Sequence, residues 1–235
     1  IPLIPVTFFS SNDGERIAGD ATLAQHADHL YSGVSSFGEV APPISVSTTY
    51  ESGSHRRDKE DFVYARDGNP TVRKAETLVG HIERGHAVLY SSGQAACMSA
   101  LFHLRPNRVF VTGGYHGTHH GLSLAERLGI VKDTLPLPDD FREVEYQDGD
   151  VLWIESPKNP DCIIHDIGAA RAAVDEVEAN VSIVVDSTFA PPPVQRALEL
   201  GADIVMHSTT KFVLKFVRVA FCVISGCHLC LLAVY

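Results

Sequence analysis

Short apolar runs punctuate the second half of the chain at near-regular intervals. HAVLY (His86–Tyr90), RVFVT (Arg108–Thr112), VLWIE (Val151–Glu155), SIVVD (Ser182–Asp186) and DIVM (Asp203–Met206) have the length and near-continuous hydrophobicity of strands buried on both faces. Between and after them Gly93–Leu104, Gly117–Leu128, Ile167–Ala179 and Pro191–Leu200 place apolar residues at helical spacing. Upstream, Val72–Glu83 repeats that spacing, with Asn69-Pro70-Thr71 as its start signal. Thr22–Leu30 has a helical cast, and Ala41–Tyr50, with two prolines, is extended. Strands alternating with helices of about 10–15 residues predict an α/β fold: a mainly parallel sheet with helices on both faces.

In such sheets ligands bind beyond the carboxyl ends of the strands, so the residues that follow each strand carry the chemistry. They read SSGQAA, GGYHGTHHG, ESPKNP, DSTF and HSTTK. Ser-Gly opening a helix suits an anion, with free N–H groups at Gly93 and Gln94, and equally suits an ordinary cap. Tyr115 in a glycine-rich loop offers a flat face to a planar ligand, or packs on its neighbours. Asp186 ends a buried strand and needs a partner, either a protonated heteroaromatic nitrogen, a salt bridge or a helix N-terminus. Lys211 follows 25 residues later; desolvated, it becomes a nucleophile for a carbonyl, and otherwise it is a solvated surface group. Ser208 and Thr210 add hydroxyls near the same end. Taken together they describe one ligand with a planar ring, a basic ring nitrogen, an aldehyde and a phosphate. Pyridoxal phosphate has all four.

Composition narrows the classes. The 235 residues carry 19 Lys plus Arg against 29 Asp plus Glu, a formal net charge of -10, which is a poor match for nucleic acid. Five cysteines, at 97, 162, 222, 227 and 230, are odd in number and irregular in spacing, so a reducing cytoplasmic setting is expected rather than a disulfide framework. The opening IPLIPVTFF lacks a basic segment and is not read as a signal peptide. His116, His119 and His120 have no cysteine or carboxylate neighbour to complete a metal site, so no metal is expected. Residues 216–235 approach a membrane span in length, but Arg218 and an internal Ser-Gly weigh against one. The spacing of Cys222, Cys227, His228 and Cys230 matches no strong zinc pattern, and RVAFCVIS (Arg218–Ser225) is expected to take a strand position.

The ordered set YARDGNPT, SSGQAA, GGYHGTHHG, ESPKNP, VVDSTF and GADIVMHSTTK resembles the Cys/Met-metabolism family of pyridoxal-phosphate-dependent enzymes. These are the cystathionine γ-synthases, β- and γ-lyases and O-acetylhomoserine sulfhydrylases. The resemblance runs from about Thr22 to Phe212 and implies the large domain of fold-type I. It implies that Lys211 carries the cofactor, Asp186 partners the pyridine nitrogen and Tyr115 stacks on the ring. It further implies that Gly93, Gln94, Ser208 and Thr210 hold the phosphate, although the family often has Met at the position of Gln94. The resemblance also places Asn159 near the ring hydroxyl and Thr188 beside Asp186. Residues matching Tyr64 and Arg66 reach the phosphate of a neighbouring subunit, which implies a homodimer or homotetramer acting on a small amino-acid substrate. On this basis residues 1–60 form an extension and arm, 61–215 the cofactor-binding domain and 216–235 a hydrophobic tail. The family's glycine-rich turn after the lysine and its C-terminal domain have no counterpart in this sequence. A catalytically impaired remnant that binds cofactor, or pairs with a full-length relative, is therefore the alternative expectation to an active trans-sulfuration enzyme.

Overall fold

The computed structural model describes residues 43–50, 62–209 and 211, together with the backbone of 219–224 and 233–234. The helix expected at Thr22–Leu30, Thr210 and most of the hydrophobic tail lie outside the described residues. Two compact units partition the chain, Ile1–Ile82 and Glu83–Tyr235. No helix among the described residues is long and apolar enough to cross a membrane.

In the first unit Thr49 and Tyr64 form an isolated antiparallel bridge. Flanking it, Tyr50 N–H donates to Val63 O at 3.0 Å and Ala65 N–H to Thr48 O at 2.8 Å. The Arg66 guanidinium lies 4.9 Å from the centre of the Tyr64 ring. Helix α1 (Pro70–Glu83) begins two residues before the sequence pattern does. Asn69 Oδ1 accepts the Val72 N–H at 2.9 Å, and Pro70 occupies the first helical position, where a missing N–H costs nothing.

The second unit runs β1 (His86–Tyr90), α2 (Gly93–Leu104), β2 (Arg108–Val111), α3 (His116–Arg127), β3 (Asp133–Pro136), β4 (Val151–Glu155), α4 (Ile167–Asp175), β5 (Ser182–Asp186), β6 (Ile204–His207), β7 (Val219–Ile224) and β8 (Ala233–Val234). The sheet order is β1-β8-β7-β6-β5-β4-β2-β3, with β1 also paired to β7. Strands β2 to β6 are mutually parallel. Because β7 runs against both β6 and β1, β1 points the same way as β6. The carboxyl ends of β1, β2, β4, β5 and β6 therefore share one edge. Ala96, Cys97, Ala100 and Leu101 of α2 and Leu122 and Ala125 of α3 pack with Val109, Val111, Val151, Trp153, Val184, Ile204 and Met206. The alternate strand residues Phe110, Leu152, Ile154, Ile183, Val185 and Val205 are buried too, so the central strands are covered on both faces, as their unbroken apolar runs predict.

Two elements differ from the pattern. Pro191–Leu200, expected as a helix, is a series of turns. Val194, Ala197 and Leu198 imitate helical spacing, but Pro191–Pro193 lack N–H donors and each disfavours helical geometry in the residue before it. Gln195 instead donates through Nε2 to Ser156 O and Ser187 Oγ, both at 2.8 Å, tying this loop to the ends of β4 and β5. Conversely β3 has no apolar run to announce it. DTLP pairs in parallel with β2 from Arg108↔Asp133 to Val111↔Pro136 at the sheet edge, where proline is tolerated.

At the opposite edge from the shared carboxyl ends, Asp150 is 1% exposed. Its Oδ1 accepts from Arg108 Nε at 2.9 Å and its Oδ2 from Arg108 Nη2 at 2.5 Å. This fork joins the starts of β2 and β4, and so sets the register of the two strands that deliver Tyr115 and Glu155. Arg108→Ala leaves the buried carboxylate without its cation and should cost about 3 kcal/mol. Urea unfolding at neutral pH measures this, and a loss below about 1 kcal/mol would show that the pair does not hold the strands.

Candidate active site

The shared strand edge opens into a cleft of about 430 Å³ lined by residues from five strand ends, Gly93, Gln94, Tyr115, Glu155, Asn159, Asp186, Thr188, Ser208 and Lys211 among them. Behind β1, Ser92 caps α2, its side chain accepting the Ala95 N–H at 3.0 Å. The Ser92 carbonyl takes the Ala96 N–H at 3.0 Å. The N–H groups of Gly93 and Gln94 are left without an acceptor among the described residues, and both residues line the cleft. Helix dipole and free donors together favour an anion there. The Gln94 side chain turns toward α3, with Nε2 donating to Gly117 O at 2.8 Å.

Tyr115 immediately precedes α3 and makes no side-chain cap bond. Its ring lies over Gly117, where a Cβ would stand 2.3 Å from the ring carbon Cε1. The other face of the loop is equally tight: a Cβ on Gly114, at φ +136°, would stand 2.2 Å from Glu155 Oε2. Glycine leaves these side chains their space at both places, and at Gly114 it also suits the φ.

Asp186 ends β5 and is 4% exposed. Its Oδ1 accepts the Thr188 N–H at 3.0 Å. Thr188 Oγ1 in turn accepts the Ser208 N–H at 2.9 Å, which locks the end of β5 to that of β6. No cation contacts Asp186 among the described residues. Burial pushes its carboxyl above the usual carboxylate range, against the hydrogen bonds from Thr188 and the charges of His207 and Lys211. Lys211 sits on the turn after β6, with its N–H on Ser208 O at 3.1 Å. Its Nζ donates to Ser208 Oγ at 2.7 Å and lies 5.9 Å from the centre of the Tyr115 ring. Beneath this turn His207, fully buried, has Nδ1 3.1 Å from Ser187 O and Nε2 2.7 Å from Glu83 Oε1.

The sequence-derived candidates thus divide. Gly93, Gln94, Tyr115, Asn159, Asp186, Thr188, Ser208 and Lys211 line one cleft. Tyr64 and Arg66 belong to the first unit, stacked on each other, and Thr210 lies outside the described residues. Glu155 was not singled out from the sequence and stands in the cleft wall. The signal that picks out Asp186, an acid closing a buried apolar run, is present in VLWIE as well.

A doubly covered parallel sheet with an acid, an amine, an aromatic ring and an unpaired helix N-terminus at one edge is the large-domain architecture of fold-type I pyridoxal-phosphate-dependent enzymes. Residues 21–225 match the family described as Cys/Met metabolism PLP-dependent enzyme, and the chain belongs to that family. It is 30% identical over 219 residues to an L-methionine gamma-lyase of Pseudomonas deceptionensis, covering 86% of this chain and 53% of that protein. Against a cystathionine gamma-synthase of Mycobacterium tuberculosis the identity is 35% over 208 residues, covering 84% and 52%. Among solved structures, apo CalE6, a methionine gamma lyase from Micromonospora echinospora, superposes with a TM-score of 0.77 at 33% identity, covering 88% of this chain and 57% of that one. The chain spans about half the length of the curated relatives it matches.

The raised Asp186 carboxyl has a consequence for stability. Its folded value lies above its ordinary 3.8, so its contribution is fully present below that value and is lost as pH rises through the folded one. Above the folded value the buried charge opposes folding of the cofactor-free chain. Asp186→Asn keeps an Oδ1 acceptor for the Thr188 N–H and removes the charge. It should raise the melting temperature of the cofactor-free chain near pH 7.5 by about 2 °C or more, the shift that about 1 kcal/mol produces at this size. The advantage should shrink toward pH 4, and an unchanged or lowered melting temperature near pH 7.5 would contradict the assignment.

Proposed function

We propose that the cleft is a pyridoxal 5'-phosphate site and that the chain serves trans-sulfuration. The substrate class is a sulfur amino acid or an activated homoserine, undergoing elimination or replacement at the β or γ carbon. Replacement at the γ carbon, as in cystathionine γ-synthases, is the preferred assignment. One observation carries this reading: a buried carboxylate and two helix N–H groups, all without a partner cation or acceptor among the described residues, line a single cleft with a primary amine and an aromatic face.

That donor set fits the cofactor part by part. The N–H groups of Gly93 and Gln94 suit its phosphate, with hydroxyls from Ser208 and Thr210 beside them. Asp186 suits the protonated ring nitrogen, a partner that turns its buried charge from a cost into a contact. Tyr115 suits the ring face, Asn159 the ring hydroxyl and Lys211 Nζ the aldehyde. Thr188 orients Asp186 through the hydrogen bond at its Oδ1. When bound, pyridoxal phosphate supplies an electron sink for bond cleavage at the amino acid's α-carbon. The chain's own share of the chemistry rests on Lys211, whose Nζ in its neutral form accepts the α-proton and returns it to the product. Ser208 Oγ, accepting from Nζ at 2.7 Å, holds the amine over the Tyr115 side of the cleft. Tyr64 and Arg66 are assigned to the phosphate of a neighbouring subunit, in a cytoplasmic homodimer or homotetramer. Ile44 and Val46, 80% and 89% exposed in the same unit, supply apolar surface for such an interface.

Borohydride reduction of the chain with pyridoxal phosphate, followed by peptide mapping, tests the site. The label is expected on Lys211 and absent from Lys211→Ala. Turnover, assayed as cystathionine formed from an activated homoserine plus cysteine and as keto acid released from sulfur amino acids, should fall at least about 10²-fold in that variant. A folded chain that takes no label, or takes it on another lysine, would sink the reading.

A further inference from the structure

Glu155 closes β4 and is paired in register with Asp186 on β5. It is 7% exposed and forms no salt bridge among the described residues; the nearby Lys158 pairs with Asp161 at 2.8 Å. Burial pushes its carboxyl upward, against the two N–H groups it accepts from and in concert with the charge of Asp186. A strand end in a core has no need of such a charge, since an apolar residue would hold β4 without the desolvation cost. What the carboxylate does is visible in its contacts. Oε2 accepts the Tyr115 N–H at 2.6 Å and Oε1 accepts the Asn159 N–H at 2.9 Å.

Each oxygen thus fixes the backbone of one cleft-lining residue. Tyr115 arrives from β2 and Asn159 follows β4, so one planar fork holds two loops to a single reference point. Only an acceptor-only side chain does this: in glutamine the amide NH₂ would face one of the two N–H donors. The loop is shaped for the contact, because any side chain at Gly114 would run into Oε2.

We propose that Glu155 is a positioning residue of the cofactor site, a buried carboxylate clamp that sets the Tyr115 ring and the Asn159 side chain relative to each other across the cleft. This rests on the pyridoxal-phosphate reading of that cleft. Glu155 acts through Tyr115 and Asn159 and is not assigned a proton-transfer role.

The test uses the full chain and the variant Glu155→Gln. Backbone amide exchange in the cofactor-free protein should accelerate about tenfold or more at Tyr115 and Asn159, as hydrogen bonds to a charged acceptor warrant, while the amides of β5 keep their protection. The dissociation constant for pyridoxal phosphate, followed by quenching of the chain's single tryptophan, Trp153 on β4, should rise about tenfold. In a Tyr115→Ala background the same substitution should cost clearly less, since the ring it positions is gone. Glu155→Asp, which keeps both acceptors on a shorter stem, should show the same losses in smaller measure and carries the test if the Gln variant does not fold. Unchanged exchange at the two amides, loss of protection spread through β4 and β5, or full additivity with Tyr115→Ala would each overturn the clamp. A wild-type chain that takes up no pyridoxal phosphate defeats the reading of the cleft instead, and amide exchange still decides whether Glu155 holds the two loops.

Discussion

Two carboxylates, Glu155 and Asp186, stand side by side at the ends of adjacent inner strands, and neither contacts a cation among the described residues. Burying such a pair opposes folding, since each charge loses its water and each repels the other. The architecture around the cleft follows from how the chain meets that cost. It surrounds Glu155 with backbone N–H groups from two loops, and gives Asp186 the N–H of Thr188. The two acids differ in what remains open to them. Both oxygens of Glu155 are engaged by backbone N–H groups from two loops, whereas the Asp186 carboxylate is held among the described residues by Thr188 alone and lines the cleft. That asymmetry makes one acid a brace and leaves the other available to a cationic ligand atom.

The direction of the strands makes the arrangement possible. β2, β4, β5 and β6 run in parallel, and β7 restores β1 to the same direction by running against both its neighbours. The loops that carry Gly93, Tyr115, Asn159, Asp186 and Lys211 therefore leave the same edge. Behind that edge the central strands are buried on both faces, so a polar group there carries a desolvation cost. His207 shows the pattern: buried beneath the Lys211 turn, it takes Ser187 O on one side and Glu83 on the other. Burial opposes its charge, but Glu83 and then Asp186 outweigh that and hold the imidazole above its ordinary value. When protonated, the imidazole in turn favours the ionised form of Asp186.

How much of this was legible in the sequence depended on whether the signal was local. VLWIE and SIVVD are unbroken apolar runs closed by an acid, and the limits of β4 and β5 are those of the runs. Ser92 and Asn69 announce their helices because a cap acts within three residues. The failures are places where two local signals compete or where none exists. At Pro191–Leu200 the apolar spacing argued for a helix and three prolines against it, and backbone chemistry won. β3 gains its strand character from β2, a partner 25 residues away in sequence, and DTLP alone says nothing of it. Glu155 is instructive in another way. It was visible as part of ESPKNP, but its partners Tyr115 N and Asn159 N are backbone atoms, one of them 40 residues distant. Side-chain identity does not report a backbone donor, so the sequence showed the acid and hid its work.

The same distinction governs the Gln94 position. A motif comparison registers Gln94 only as a departure from methionine, whereas its amide hydrogen bond to Gly117 O attaches the first turn of α2 to the first turn of α3. Those turns carry the free N–H groups of Gly93 and Gln94 and the ring of Tyr115. A thioether offers only a weak acceptor and no donor for that carbonyl, so this tie between two cleft walls depends on the Gln94 amide. With Glu155 holding Tyr115 from β4 and Gln94 holding Gly117 from α2, the short Tyr115–Gly117 segment is tied from two directions. The backbone that carries the aromatic face of the cleft is thus tied to the framework, and ties of this kind lower the ordering cost that binding otherwise carries.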